Sequence, residues 1–154
     1  MPFSCHQRQA FLHSASSREC FEEELERVRR SYDFAASGYV VMPEHVHLLL
    51  RRPHREVLTV ALQVLKQKTS RRLRPKAGEP FWQRRYYDFN VWTVDKHREK
   101  LEYIHRNPVQ RGLVSRPEDW AWSGYPHYVT GAPGTVEIER FGVALEEKLD
   151  GWDE

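Results

Sequence analysis

The stretch GYVVMPEHVHLLLRRP, Gly38 to Pro53, constrains the fold more than any other part of this chain. Tyr39 to Met42 is apolar, Pro43-Glu44 breaks the run, and His45 to Arg51 resumes it. That pattern predicts two strands joined by a tight turn. Successive strand residues point to opposite faces, so Val46, Leu48 and Leu50 share one face while His45, His47 and Leu49 share the other. Two imidazoles side by side on one strand are either ligands of one divalent cation or ordinary polar groups satisfied by hydrogen bonds or water. Burial with no partner at all is the costly alternative.

The flanking segments read as helices. Ser16 to Tyr32 carries Phe21, Leu25 and Val28 at helical spacing, with acids early and arginines late, an order that suits the helix dipole; Ser17 is the expected N-cap. Glu56 to Arg74 has the stripe Leu58, Leu62, Leu65 and a basic end, and Ala77-Gly78-Glu79-Pro80 stops it. Phe81 to Trp92 is aromatic and strand-like. Asp95 to Arg111 is helical around Leu101 and Ile104, and Pro108 is expected to end or kink that helix near Asn107. Glu118 to Tyr128, with Trp120, Trp122, Tyr125 and Tyr128, predicts a short packing helix. If Phe3 to Arg8 supplies a first strand, the order is β-α-β-β-α-β-α. This is an α+β fold: a ferredoxin-like (split βαβ) antiparallel sheet with helices packed on it. The division expected is a folded unit over residues 1–128 and a tail over 129–154.

Composition bounds the partners. The 154 residues suit one domain with a sizeable core. No apolar run approaches the roughly 20 residues of a membrane helix, and the start, MPFSCHQRQAF, lacks the layout of a signal peptide. Two cysteines, Cys5 and Cys20, form no CxxC pair and are too few for a disulfide framework, so a reducing cytoplasm is the simplest home. Net charge is only +2, but it is unevenly spread. Met1 to Leu50 holds 5 Lys/Arg against 7 Asp/Glu, Arg51 to Arg111 holds 16 against 6, and Gly112 to Glu154 holds 3 against 9. A middle of net +10 is the footprint of a polyanion partner, or else a solvated surface.

A second motif, LEYIHRNPVQRGLV from Leu101 to Val114, sharpens the reading. On a helix Tyr103 and Asn107 lie one turn apart, offering a hydroxyl and a hard amide oxygen. MPEHVHLLL, then FWQRRYYDFNVWT, then YIHRNPVQRGLV, then PEDWAWSGYPHY together resemble the HUH single-tyrosine (IS200-like) transposases, and most closely the REP-associated tyrosine transposases. The resemblance covers nearly the whole chain to about Tyr128. It implies a metal-dependent endonuclease and strand transferase for single-stranded DNA, acting on REP-like hairpins. It further implies that His45 and His47 bind Mg²⁺ or Mn²⁺ and that Asn107 takes the place of the third, polar ligand. Tyr103, on a C-terminal helix, is then the nucleophile that forms a 5′-phosphotyrosine. A tyrosine hydroxyl with an ordinary pKa near 10 needs activation; the sequence names no base, and His105 is a nearby candidate. Two departures stand out. Glu44 occupies a turn position where many relatives have Asn, a change expected to be tolerated. The first strand is also shorter than in relatives, which would weaken the support of the histidine strand or leave an edge for pairing.

Basic residues Lys66, Lys68, Arg71, Arg72, Arg84, Arg85, Lys96 and Arg98 flank the motifs, interleaved with Trp82, Tyr86, Tyr87 and Trp92. Cations for phosphates with rings for bases is the recipe for single-strand binding, although aromatic residues also build cores. The linker into the Tyr103 helix is short, so a site assembled within one chain and a monomer are expected, with a dimer left open by the short first strand. Three functions compete: the active tyrosine nuclease, a catalytically silent DNA-binding regulator derived from it, and a small metalloenzyme without a nucleic-acid partner. The last leaves the basic middle unexplained.

Overall fold

The apolar run becomes a hairpin. In the computed structural model, which describes residues 2–51, 55–73, 79–83 and 94–140, Ala35–Val41 forms a strand and His45–Arg51 the next. They pair antiparallel, with Val40 opposite His47 and Val41 opposite Val46. The second strand has the bounds the sequence predicts. The first starts four residues earlier than Tyr39, because pairing carries the weak strand formers Ala35 to Gly38 into the ladder. A bulge between Ala36 and Gly38 shifts the alternation, so that Ala36 and Tyr39 both reach the same core. A Cβ at Gly38 would collide with the Leu101 side chain, so the bare backbone admits the helix that crosses it.

A third strand, Pro2–Ser4, pairs antiparallel with His45–Arg51, placing Pro2 opposite His47 and Ser4 opposite His45. With Pro2–Ser4 as β1, Ala35–Val41 as β2 and His45–Arg51 as β3, the sheet order is β1-β3-β2. The histidine strand is therefore held on both sides, and the short first strand lies directly against both histidines. Beyond β1, Cys5 bridges Trp82, and Gln83 N–H donates to the Ser4 carbonyl at 2.8 Å. Of the expected Phe81 to Trp92 strand, the described residues 81–83 form only this isolated bridge; residues 84–93 lie outside the described residues.

Helices α1 (Ala15–Tyr32) and α2 (Arg55–Leu73) pack side by side on one face. Phe21, Leu25 and Val28 from α1 and Leu58, Leu62 and Leu65 from α2 meet Val46 and Leu48 there. The cap of α1 is Ser14, not Ser17. Ser17 is the third helical residue and closes a reciprocal capping box, its N–H on Ser14 Oγ at 3.1 Å and the Ser14 N–H on its own Oγ at 3.2 Å. The other face is covered by α3 (Val94–Gln110), whose Ile104 packs with Val40, Met42, Leu49 and Trp120.

Two expectations are corrected. Helix α3 runs through Pro108 to Gln110 and is stopped by Gly112 (φ 73°). Leu113 N–H reaches the Pro108 carbonyl at 2.9 Å and Gly112 N–H the Val109 carbonyl at 3.0 Å, a Schellman stop that only a left-handed residue closes. The Glu118 to Tyr128 helix is instead a 3-10 turn, Pro117–Asp119, and a separate helix α4, Tyr125–Thr130. The stretch between them pairs along β2: Val41 N–H donates to the Trp122 carbonyl at 2.8 Å and Gly124 N–H to the Tyr39 carbonyl at 3.0 Å. Farther on, Ile138 bridges Ala36 and Val136 is buried. The outer edge of β2 is thus covered by the chain itself. Residues 141–154 lie outside the described residues.

Candidate metal and nucleophile site

Alternation along β3 settles which way the histidines face. Val46 and Leu48 enter the core under α1 and α2, so His45 and His47 lie on the α3 face. Their ring centroids are 4.9 Å apart and nearly perpendicular. His45 is 5% exposed, and His47 is half-buried. Tyr103 brings its ring to 5.5 Å from the His47 ring, again edge to face, and is 47% exposed. The chain therefore collects its two histidines and its candidate nucleophile at one place, from two separate elements, β3 and α3.

Asn107 lies one turn along α3 from Tyr103 and is 3% exposed. Its Oδ1 is buried and has no hydrogen-bond partner among the described residues. Such an oxygen is costly to leave unmade, and a hard cation is the partner its chemistry suits. His45 fits the same role. Burial is the main cause that lowers its pKa, opposed by Glu44, and a neutral ring is the ligating form. Its Nδ1 lies 3.0 Å from Glu44 Oε1. Since a carboxylate only accepts, this contact suits an Nδ1–H donor, a tautomer that would leave Nε2 its lone pair. Among the described residues no group of three His, Cys, Asp or Glu is arranged to hold a metal. A divalent ion at this place would rest on the two imidazoles and an amide oxygen.

His105 is not on this face. Two positions beyond Tyr103 is about 200° around the helix, and the His105 ring packs 4.9 Å from Tyr125 and 5.1 Å from Tyr128. It is buried, and desolvation lowers its pKa to about 4. It is a core histidine and does not serve as a base for Tyr103. Sequence reasoning missed instead the charges around Glu44. Glu44 Oε1 accepts from Arg111 Nη2 at 2.6 Å and lies 3.8 Å from Arg8 Nη2. Its signal was the turn position itself, directly before the first histidine.

Among the described residues, the predicted basic side chains do not gather in one patch. Lys66, Lys68, Arg71 and Arg72 are on α2, in the layer behind the sheet from the histidines. The Lys66 ammonium stands 5.1 Å over the Phe3 ring and 5.9 Å from that of Trp82. Arg72 donates to Glu24 and Glu23 of α1, both at 2.9 Å, so its charge is already matched. Lys68 and Arg71 line an open groove of about 1010 Å³ between α1 and α2. Lys96 and Arg98 are exposed in the first turns of α3, Arg98 within 3.5 Å of Asp95. Trp82 packs edge-on against Phe3, in the core. Arg84, Arg85, Tyr86, Tyr87 and Trp92 lie outside the described residues.

The family model described as "Transposase IS200 like" matches residues 2–107, from β1 through both histidines and Tyr103 to Asn107. The chain belongs to the IS200-like transposase family. A curated relative, the REP-associated tyrosine transposase of Escherichia coli K12, is 28% identical over 119 residues, covering 75% of this chain and 68% of that protein. A Haemophilus influenzae protein provisionally given the same name is 26% identical over 118 residues, covering 68% of this chain and 66% of its own. This IS200-like chain thus spans about two thirds of the length of the curated relatives it matches. Its fold matches the solved structure of a REP-associated tyrosine transposase bound to a REP hairpin, with a TM-score of 0.71 at 20% identity, over 92% of this chain and 84% of that one. The α+β architecture read from the sequence is that of this fold.

Among the described residues no helix is long and apolar enough to cross a membrane.

Proposed function

We propose that this IS200-like protein is a metal-dependent endonuclease and strand transferase for single-stranded DNA that acts on REP-like hairpins. The observation that carries the reading is the convergence within one chain of His45, His47 and Tyr103 beside a buried, unpartnered Asn107 oxygen. His45, His47 and Asn107 would hold Mg²⁺ or Mn²⁺. When bound, such an ion withdraws charge from a phosphate oxygen and orients the group for displacement. Tyr103 Oη attacks phosphorus and the bond to the 3′ oxygen breaks. The tyrosine proton goes to solvent and the departing oxygen takes one up, leaving a 5′-phosphotyrosine and a free 3′-hydroxyl. Attack by another 3′-hydroxyl reverses the step and joins the strands without an external energy source. The half-exposed position of Tyr103 supports this role, because a backbone phosphate must reach the oxygen.

Lys66, Lys68, Arg71, Arg72, Lys96 and Arg98 are proposed to contribute phosphate contacts to differing degrees, with Arg72 the weakest because Glu23 and Glu24 already hold it. The protein is read as acting in the cytoplasm, as a monomer whose β2 edge is closed by its own residues 122–124 and 138–139. The test is cleavage of an end-labelled REP-type hairpin with single-stranded flanks, with Mn²⁺ or Mg²⁺ and with EDTA. Cleavage with metal alone is expected. Tight hairpin binding with no cleavage in either metal would select the catalytically silent regulator.

A further inference from the structure

Glu44 stands where three parts of the chain meet. Its backbone carbonyl accepts from Cys5 N–H at 2.9 Å, just after β1. One side-chain oxygen accepts from His45 Nδ1 at 3.0 Å, at the start of β3, and from Arg111 Nη2 at 2.6 Å, one residue past the end of α3. Arg8 Nη2 stands 3.8 Å away. The Glu44 side chain is only 15% exposed. A carboxylate so placed is retained because donors converge on it.

We infer that Glu44 is the positioning residue of the proposed metal centre: it holds the His45 ring as the Nδ1–H tautomer, so that Nε2 is the nitrogen offered to the ion, and it is itself held by Arg111 from the end of the tyrosine helix. This rests on the reading of His45 and His47 as ligands. The physical basis is the near-balance between the two neutral tautomers of imidazole. A hydrogen bond from one nitrogen to a carboxylate selects which nitrogen keeps its lone pair, fixes the ring plane and raises the basicity of the ligating atom. An Asn at this position could also accept from Nδ1–H but would bring no charge for Arg111. The carboxylate therefore adds a tie between the histidine strand and the tyrosine helix. A merely structural ion pair with Arg111 would leave the imidazole tautomer indifferent to the residue at 44.

Nitrogen-15 NMR of histidine-labelled protein, free of metal and DNA, reads the tautomer directly. His45 is expected as Nδ1–H in the unaltered protein, and this measurement needs no variant to fold. Glu44→Ala should shift His45 toward the Nε2–H form and weaken Mn²⁺ binding 10- to 100-fold by titration calorimetry. Glu44→Gln, which keeps an acceptor oxygen, should restore the tautomer and most of the affinity. An Nε2–H form of His45 in the unaltered protein overturns the inference. So does an unchanged tautomer, or unchanged Mn²⁺ affinity, in Glu44→Ala. The ligand reading is checked apart, with His45→Ala/His47→Ala: undiminished Mn²⁺ binding there would remove the metal centre, whatever residue 44 does.

Discussion

Tyr103 reaches solvent with nearly half its surface while its ring rests against His47. Only the hydroxyl takes part in the proposed attack, and the side chain as a whole is not part of the buried core. Tyr103→Phe is therefore expected to abolish strand cleavage while hairpin binding, measured by fluorescence anisotropy, stays within about threefold and stability within roughly 0.5 kcal/mol. His45→Ala/His47→Ala should abolish metal-dependent cleavage and leave the circular dichroism spectrum folded, because these rings face α3 and not the core beneath α1 and α2. Normal cleavage by the double variant would make the histidines structural. At this scale the sequence was informative about identity and less so about surroundings. The alternation of β3 placed both histidines on one face without any structure. Asn107 was visible as a polar residue one turn from Tyr103, but its missing partner was not, since burial depends on packing across the sheet. Glu44 passed as a turn residue because its partners, Arg8 and Arg111, are far from it in sequence.

Arg71 and Arg72 are neighbours on α2 with different surroundings. Arg72 is tied to Glu23 and to buried Glu24 of α1, and Arg71 lines the groove between these helices. Arg71→Glu is expected to weaken binding of every single-stranded sequence tested and to lower the salt slope of log K by roughly 0.7, the share of one phosphate contact. An unchanged salt slope would make that face a solvated surface. Arg72→Glu should act chiefly on folding, by roughly 1–2 kcal/mol in urea denaturation, because it leaves the Glu24 carboxylate without its interhelical partner. Periodic patterns made elements legible: β3, α2 and α3 fall within a residue or so of their predicted bounds. What failed were the stops and the irregular stretches. Pro108 was expected to end or kink α3 near Asn107; it does not end the helix, because the missing N–H at one position is tolerated, and Gly112 closes it by a left-handed turn. The segment from Trp120 to Gly124 follows no period, because its extended form comes from pairing with β2.

Across the whole molecule, the ordering of strands and helices was enough to give the ferredoxin-like arrangement, whereas the covering of the β2 edge by residues 122–124 and 138–139 was invisible without coordinates. Among the buried groups that tie stability to pH is Glu22. Glu22, on the buried face of α1, accepts from the Tyr39 hydroxyl, and desolvation raises its carboxyl from 4.5 to about 7. A pKa raised on folding gives stability that is complete below about pH 4.5 and is lost as pH rises through about 7. Glu22→Gln keeps an acceptor for Tyr39 and removes the titration. Its stability advantage over the unaltered protein should therefore grow between pH 4.5 and 7 and level off above, which thermal unfolding at a series of pH values will show. A constant difference across that range would contradict the burial of an ionisable carboxyl there.

In the proposed reading the site is assembled within one chain, and the covalent intermediate is where strand, helix and metal would meet. The most direct measurement is to incubate the protein with a REP-type hairpin in Mn²⁺, denature and digest the adduct, and locate the nucleotide by mass spectrometry. The expected result is a 5′-phosphate ester on the peptide bearing Tyr103, a free 3′-hydroxyl on the released fragment, and no adduct in EDTA. An adduct on another residue, or one formed equally well in EDTA, would contradict it.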